Sequence, residues 1–146
     1  MNENKYEFFI AGKFRNKDVI MDICDVFDKR NISNYCFLRN EVDYADKDLS
    51  QEEKQKVFEG LDLNSEPVVK IFESDMEAEK ASDNFLLVLP AGKSGHIEAG
   101  VAYGMGKKCY AIGEYEGTDS LYHVFDRIFK DKEELEKFLS EEYKKQ

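Results

Sequence analysis

The stretch from Gly92 to Glu98 (GKSGHIE) gathers a lysine, a serine, a histidine and a glutamate behind a turn of small residues. Backbone N–H groups at a helix start are unpaired and point outward, so such a loop opening a helix makes a place for a polar ligand. Glu98 admits two readings. As a nucleophile, its carboxylate attacks a sugar carbon, with backbone N–H groups keeping it ionised. As a first-turn glutamate, it only favours the helix dipole, by about 0.3–1 kcal/mol. Asp83 is a second carboxylate candidate, or a turn residue that starts a strand. His96 contacts a phosphate or a base, or it caps the helix. Lys93 and Ser94 bind phosphate, or they form a turn and an N-cap. Nearer the N-terminus, Gly12, Lys13, Phe14 and Arg15 form another loop with glycine and cations, and the fork of Arg15 can hold a phosphate in two places. There is no Walker loop, HExxH pair, zinc-type spacing or Gly-x-Ser-x-Gly elbow. No metal or cofactor is expected.

These residues need elements to hold them. Tyr6–Ala11 (YEFFIA) is a short apolar run stopped by Gly12, the mark of a buried strand. A helix is expected over Asp18–Lys29, a second strand over Ile32–Leu38, and a short helix from Ser50, where Ser50 and Glu53 fit a capping box. Another helix is expected over Glu66–Ser82, and the strongest strand over Phe85–Leu89. Ser94–Gly106 reads as a helix of small residues able to lie close on a sheet, followed by a strand over Cys109–Ile112. A short apolar piece, Leu121–Phe125, precedes a last amphipathic helix over Asp131–Lys145. Strands alternating with helices predict a parallel sheet covered on both faces. The expected fold is α/β, a Rossmann/flavodoxin-like doubly wound five-stranded parallel sheet of order 2-1-3-4-5 in three α/β/α layers. Ligands of such sheets bind where strand order reverses, here between the first and third strands. The loops leaving those strands are the two that carry glycine and cations.

The bulk numbers bound the partners. With 146 residues, 42% hydrophobic and 36% charged, one folded domain over residues 1–146 is expected. A net charge of −10 argues against nucleic-acid or anionic-membrane binding. It leaves room for a small anionic ligand held by a few local cations. Three cysteines without CxxC spacing read as reduced, buried thiols. The first residues lack a basic region and a long apolar run, so a cytoplasmic location is expected. The acidic stretch Asp43–Glu53 reads as a solvated face or a lid.

The segments FFIAGKF, ASDNFLLVLP, SGHIEAGVAYGMGKKCYAIG and HVFDRIFKDKEELEKFL resemble the nucleoside 2-deoxyribosyltransferase-like family, which includes deoxynucleoside-monophosphate N-glycosidases. The resemblance covers about two-thirds of the chain and is weakest over residues 40–64. It implies that Glu98 occupies the position of the family's nucleophile and that Asp83 matches an aspartate beginning the third strand. It also implies that Gly12 and Arg15 line the sugar or 5′-phosphate side. Gly12, Phe14, Arg15, Gly92, Lys93, Ser94 and His96 form the expected substrate-binding set. Two departures stand out. The family's first-strand tyrosine, which hydrogen-bonds the nucleophile, aligns with Phe8, and Tyr6 should point to the same side by strand alternation. The usual Gly-Thr before the nucleophile is replaced by Ser94-Gly95-His96. The implied activity is cleavage or transfer of the N-glycosidic bond of a nucleoside or nucleoside monophosphate, in a homo-oligomer. A non-catalytic nucleotide-binding module and hydrolysis of a dinucleotide are the competing readings.

Overall fold

A computed structural model describes residues 5–40 and 42–144. The N-terminal stub, Glu41 and the expected end of the last helix at Lys145 lie outside the described residues. The strands are β1 (Tyr6–Ala11), β2 (Asn34–Cys36), β3 (Ser82–Val88), β4 (Lys108–Ile112) and β5 (Arg127–Phe129). The helices are α1 (Lys17–Asp28), α2 (Gln51–Glu59), α3 (Glu66–Lys80), α4 (Lys93–Gly104) and α5 (Lys132–Glu141). The strands form one five-stranded sheet of order β2-β1-β3-β4-β5, as expected, and every pair is parallel. Among the described residues no helix is long and apolar enough to cross a membrane.

Strand alternation separates two cores. On one face Phe8, Ile10, Leu86, Val88 and Ile112 pack with α1 through Ile20, Ile23 and Phe27, and with α5 through Leu135, Phe138 and Leu139. On the other face Phe9, Ala11, Phe85, Leu87 and Ala111 meet Ala78 of α3 and Ala99 and Ala102 of α4. The alanines are why α3 and α4 lie close on the sheet. That close approach sets the depth of the cleft described below.

Several element boundaries differ from expectation for local reasons. β3 begins at Ser82 rather than Phe85 because its polar residues find backbone partners. Ser82 Oγ donates to Ala78 O (2.8 Å) and Asn84 Nδ2 donates to Glu7 O (2.9 Å). β2 is shorter than Ile32–Leu38 because Phe37–Arg39 turns into a 3-10 segment. The fifth strand is Arg127–Phe129, whereas the apolar piece before it lies largely in a 3-10 turn, Ser120–Val124.

The first strand carries a larger correction. Its ladder is irregular at the start: Lys5 N and Tyr6 N share Ala81 O, while Glu7 N and Phe8 N share Ser33 O. Simple alternation fails there. Phe8 packs on Phe27 at 4.7 Å, whereas Tyr6 turns to Tyr35 at 5.5 Å on the opposite face, where Phe9 stacks on the same tyrosine at 5.1 Å. The first-strand rings facing the α3–α4 side are therefore Tyr6 and Phe9, not Phe8.

Gly113, at the end of β4, has φ +118°, and a Cβ there would stand 2.8 Å from Leu89 O. Gly113→Ala should lower stability by about 2 kcal/mol or more, since both strain and a backbone clash arise. Urea unfolding should show a lower midpoint with an unchanged slope.

Candidate active site

The site begins with how α4 leaves β3. Gly92 is the N-cap of α4, and Gly95 sits over the sheet, where a Cβ would come within 2.7 Å of Leu87 Cδ1. The missing side chain brings the first turn of α4 down towards Gly12 at the crevice between β1 and β3. The same geometry places Glu98 in the second turn, since α4 starts at Lys93 and has no acidic residue in its first turn. Glu98 is thus past the unpaired N–H groups. Neither a first-turn dipole role nor stabilisation of its charge by free backbone N–H groups describes it.

An open cleft of about 1110 Å³ runs from this crevice along the α3 side of the sheet. Its floor includes Phe9 and Tyr35, and one end is closed by Gly12, Lys13 and Phe14 together with Gly92, Lys93 and Ser94. The outer wall comes from the acidic segment: Val42, Tyr44, Gln55 and Phe58 line it. That segment is ordered by the Ser50–Glu53 capping box, by Tyr44 packed on Phe58 at 5.6 Å, and by a Lys17–Glu52 ion pair of 2.9 Å. It is a wall rather than only a solvated face.

Asp75 on α3, a residue not singled out from the sequence, lines the same cleft as Glu98. Tyr35 donates its hydroxyl proton to Asp75 Oδ1 (2.9 Å), and Asn40 Nδ2 donates to the Tyr35 oxygen (2.6 Å). A hydroxyl in the position to orient a carboxylate is therefore present, supplied by β2 rather than β1. Burial raises the pKa of Asp75, against the Tyr35 hydrogen bond, which lowers it. Burial pushes Glu98 up to about 8, with the charges of Asp75 and Glu79 adding to the rise. A buried carboxyl raised further by its neighbours' charges in a cleft is the kind of group that marks a functional site.

The structure brings together Glu98, Gly12, Phe14, Gly92, Lys93 and Ser94 from the expected set. It places the others elsewhere. Arg15 is exposed on the 3-10 turn Phe14–Asn16 and is not among the cleft-lining residues. His96 faces away: its Nδ1 lies 2.8 Å from Gly92 O and its Nε2 lies 2.8 Å from the Tyr122 hydroxyl, over whose ring it stacks. It fastens α4 to the Ser120–Val124 turn. Asp83 sits at the amino end of β3, away from the strand tip beside Glu98, where its charge helps raise the pKa of Tyr143.

No protein-family model matches the sequence, and no curated protein matches it. Solved structures do match. A 2-deoxyribosyltransferase from the psychrotolerant bacterium Bacillus psychrosaccharolyticus superposes with a TM-score of 0.62 at 16% identity, over 94% of this chain and 92% of that one. The CMP N-glycosidase BcmB of Clostridium botulinum superposes with a TM-score of 0.54 at 19% identity, over 92% of this chain and 98% of that one. The five-stranded parallel sheet with its flanking helices is thus the fold on which a 2-deoxyribosyltransferase and a CMP N-glycosidase are built.

Proposed function

We propose that this protein cleaves or transfers the N-glycosidic bond of a nucleoside or nucleoside monophosphate, as a member of the nucleoside 2-deoxyribosyltransferase-like family. One observation carries the reading: Glu98 and Asp75 share one cleft that reaches the carboxyl ends of β1 and β3, the place where such sheets bind ligands. The fold shared with a 2-deoxyribosyltransferase and a CMP N-glycosidase supports it. In its ionised form Glu98 attacks C1′; the C1′–N bond breaks, and its electron pair leaves with the base. Asp75, held by Tyr35, accepts a hydrogen bond from the sugar or the base, and water protonates the departing base. Water attacking the glycosyl ester gives hydrolysis, and a second base gives transfer. Lys13, Lys93 and Ser94 at the narrow end offer contacts to a 5′-phosphate or 5′-hydroxyl. Exposed Phe72 (61%) on α3 and Ile97 (64%) and Tyr103 (57%) on α4 support the expected homo-oligomer.

The test is chromatography of ribo- and 2′-deoxyribonucleosides and their 5′-monophosphates, with and without a second base, together with intact mass. Free base and a pentosyl adduct on the protein are expected. Absence of both across the panel overturns the reading. A second reading, nucleotide binding without cleavage, is favoured by the raised pKa of Glu98. It predicts thermal stabilisation by a nucleotide with no base released.

A further inference from the structure

The first turn of α4 carries an irregular bond beside the cleft. In a regular helix the N-cap carbonyl accepts from the N–H four residues on. Here that bond, from His96 N to Gly92 O, is 3.4 Å, beyond the usual range of about 2.7–3.2 Å. The side chain of His96 makes up for it: Nδ1 lies 2.8 Å from the same oxygen. A carbonyl only accepts, so Nδ1 carries the proton, and in the neutral ring Nε2 is a bare lone pair. The Tyr122 hydroxyl, 2.8 Å away, donates to it. Tyr122 is itself fixed: its ring stacks with His96 at 5.7 Å and meets buried Phe125 edge-on at 5.3 Å. The Gly92 peptide, which a glycine leaves free to rotate, is thus clamped through an imidazole to the turn Ser120–Val124. Gly92, Lys93 and Ser94 line the cleft, whereas His96 stands behind them and does not.

We propose that His96 is a positioning residue: keyed by Tyr122 as the Nδ1–H tautomer, it holds the Gly92 carbonyl and so fixes the turn whose Lys93 and Ser94 receive the substrate's 5′-phosphate. The phosphate end of this inference rests on the reading of the cleft as a nucleoside monophosphate site; the clamp itself does not. A turn held in its binding shape before the ligand arrives spares the complex the entropy of ordering it. Without the clamp, that ordering counts against affinity. Glu98 feels little of this, because the next turn of α4 is seated independently, by Gly95 and Ala99 against the sheet. The clamp therefore acts on the binding of the phosphate and not on the reaction at C1′.

The test has two independent arms. In the first, multiple-bond 1H–15N NMR reads the imidazole nitrogens at pH 8, with His96→Leu assigning the ring. The wild type should carry its proton on Nδ1, and Tyr122→Phe should let it pass to Nε2. A wild-type ring protonated on Nε2 overturns the proposal. In the second arm, steady-state kinetics compare a 5′-monophosphate with its unphosphorylated nucleoside. His96→Leu should raise KM for the monophosphate about tenfold, the worth of one hydrogen bond, with kcat held within about twofold and the nucleoside unaffected. His96→Asn, whose Nδ2 takes the place of Nδ1, should restore most of the affinity. Tyr122→Phe should raise KM about threefold. An unmoved KM, or equal losses on both substrates, overturns the proposal. Should His96→Leu not fold, Tyr122→Phe carries the comparison alone. If the wild type turns over neither substrate, the functional reading fails by itself, and thermal stabilisation by adenosine and cytidine 5′-monophosphate decides the clamp. Stabilisation lost in His96→Leu and kept in His96→Asn sustains it; equal stabilisation, or none in the wild type, overturns it.

Discussion

Glu98→Gln should lower turnover of the cleaved nucleoside by about 10³-fold or more while leaving KM within a few-fold, because the amide has lost the nucleophile but not the shape. The reasoning starts from position. Glu98 is carried by the second turn of α4, which Gly95 lets settle against the crevice between β1 and β3. Its carboxyl looks into the cleft that the strand-order reversal creates. Asp75→Asn should cost less, about 10²-fold, as expected of a group that positions the substrate rather than reacts with it. Tyr35→Phe should reproduce part of that loss, since it releases Asp75 from its 2.9 Å hydrogen bond. The pH profile separates these roles. A nucleophile must be ionised, and Glu98 is raised to about 8, so kcat/KM of the wild type should climb with pH and level off near that value. Steady-state assays from pH 5 to 9 check this. Equal turnover by Glu98→Gln would remove the nucleophile from the mechanism, and a flat acid side would remove the ionisation of Glu98 from it.

The sheet was legible because its signals are local and strong. Tyr6–Ala11 and Cys109–Ile112 are apolar runs closed by glycine, and the alternation with helices leaves few ways to order parallel strands. The capping box at Ser50 was legible for the same reason, being a contact across three residues. What long-range packing decides was not legible. Asp75 is one acidic residue among several on a polar helix, and only Tyr35, brought across from β2, marks it. The side to which Phe8 and Phe9 point depends on two shared carbonyls at the start of β1. His96 belongs to the right loop, yet Tyr122 draws it off the cleft. A sequence signal for Asp75 did exist: α3 carries carboxylates at 75 and 79, one turn apart, with Ala78 beside them facing the sheet. Asp75 stands three residues before buried Ala78, on the same helix face, and a carboxylate turned to that face asks for an explanation.

Two glutamates, Glu79 and Glu98, make folding stability depend on pH in an unusual direction. Glu79 is raised to about 7 and Glu98 to about 8 from an ordinary value near 4.5, in both cases chiefly by burial. Between the unfolded and folded values the native state binds more protons than the unfolded chain does, so stability falls as pH rises through that window. The contribution is fully present below about 4.5 and is lost by about 8. The two groups share one environment and Glu98 is partly exposed, so their losses do not add. A combined loss on the order of 3 kcal/mol between pH 5 and pH 9 is expected, or about 10 °C in Tm for a chain of this length. The exposed carboxylates whose pKa values are lowered, Glu52, Glu53 and Glu66, act in the opposite sense, but their stabilisation disappears only as pH falls below the ordinary range. They do not oppose the trend above pH 5. Calorimetry of the wild type and of the Glu79→Leu, Glu98→Gln double variant isolates the effect. The double variant should lose most of the downward slope, and it should be more stable than the wild type at pH 8, because a buried carboxylate with no hydrogen-bond partner among the described residues is replaced by an apolar side chain of similar size. A double variant that keeps the wild-type slope would mean that the charges on these two residues are not felt by the fold, and the electrostatic account of the site would fail with them.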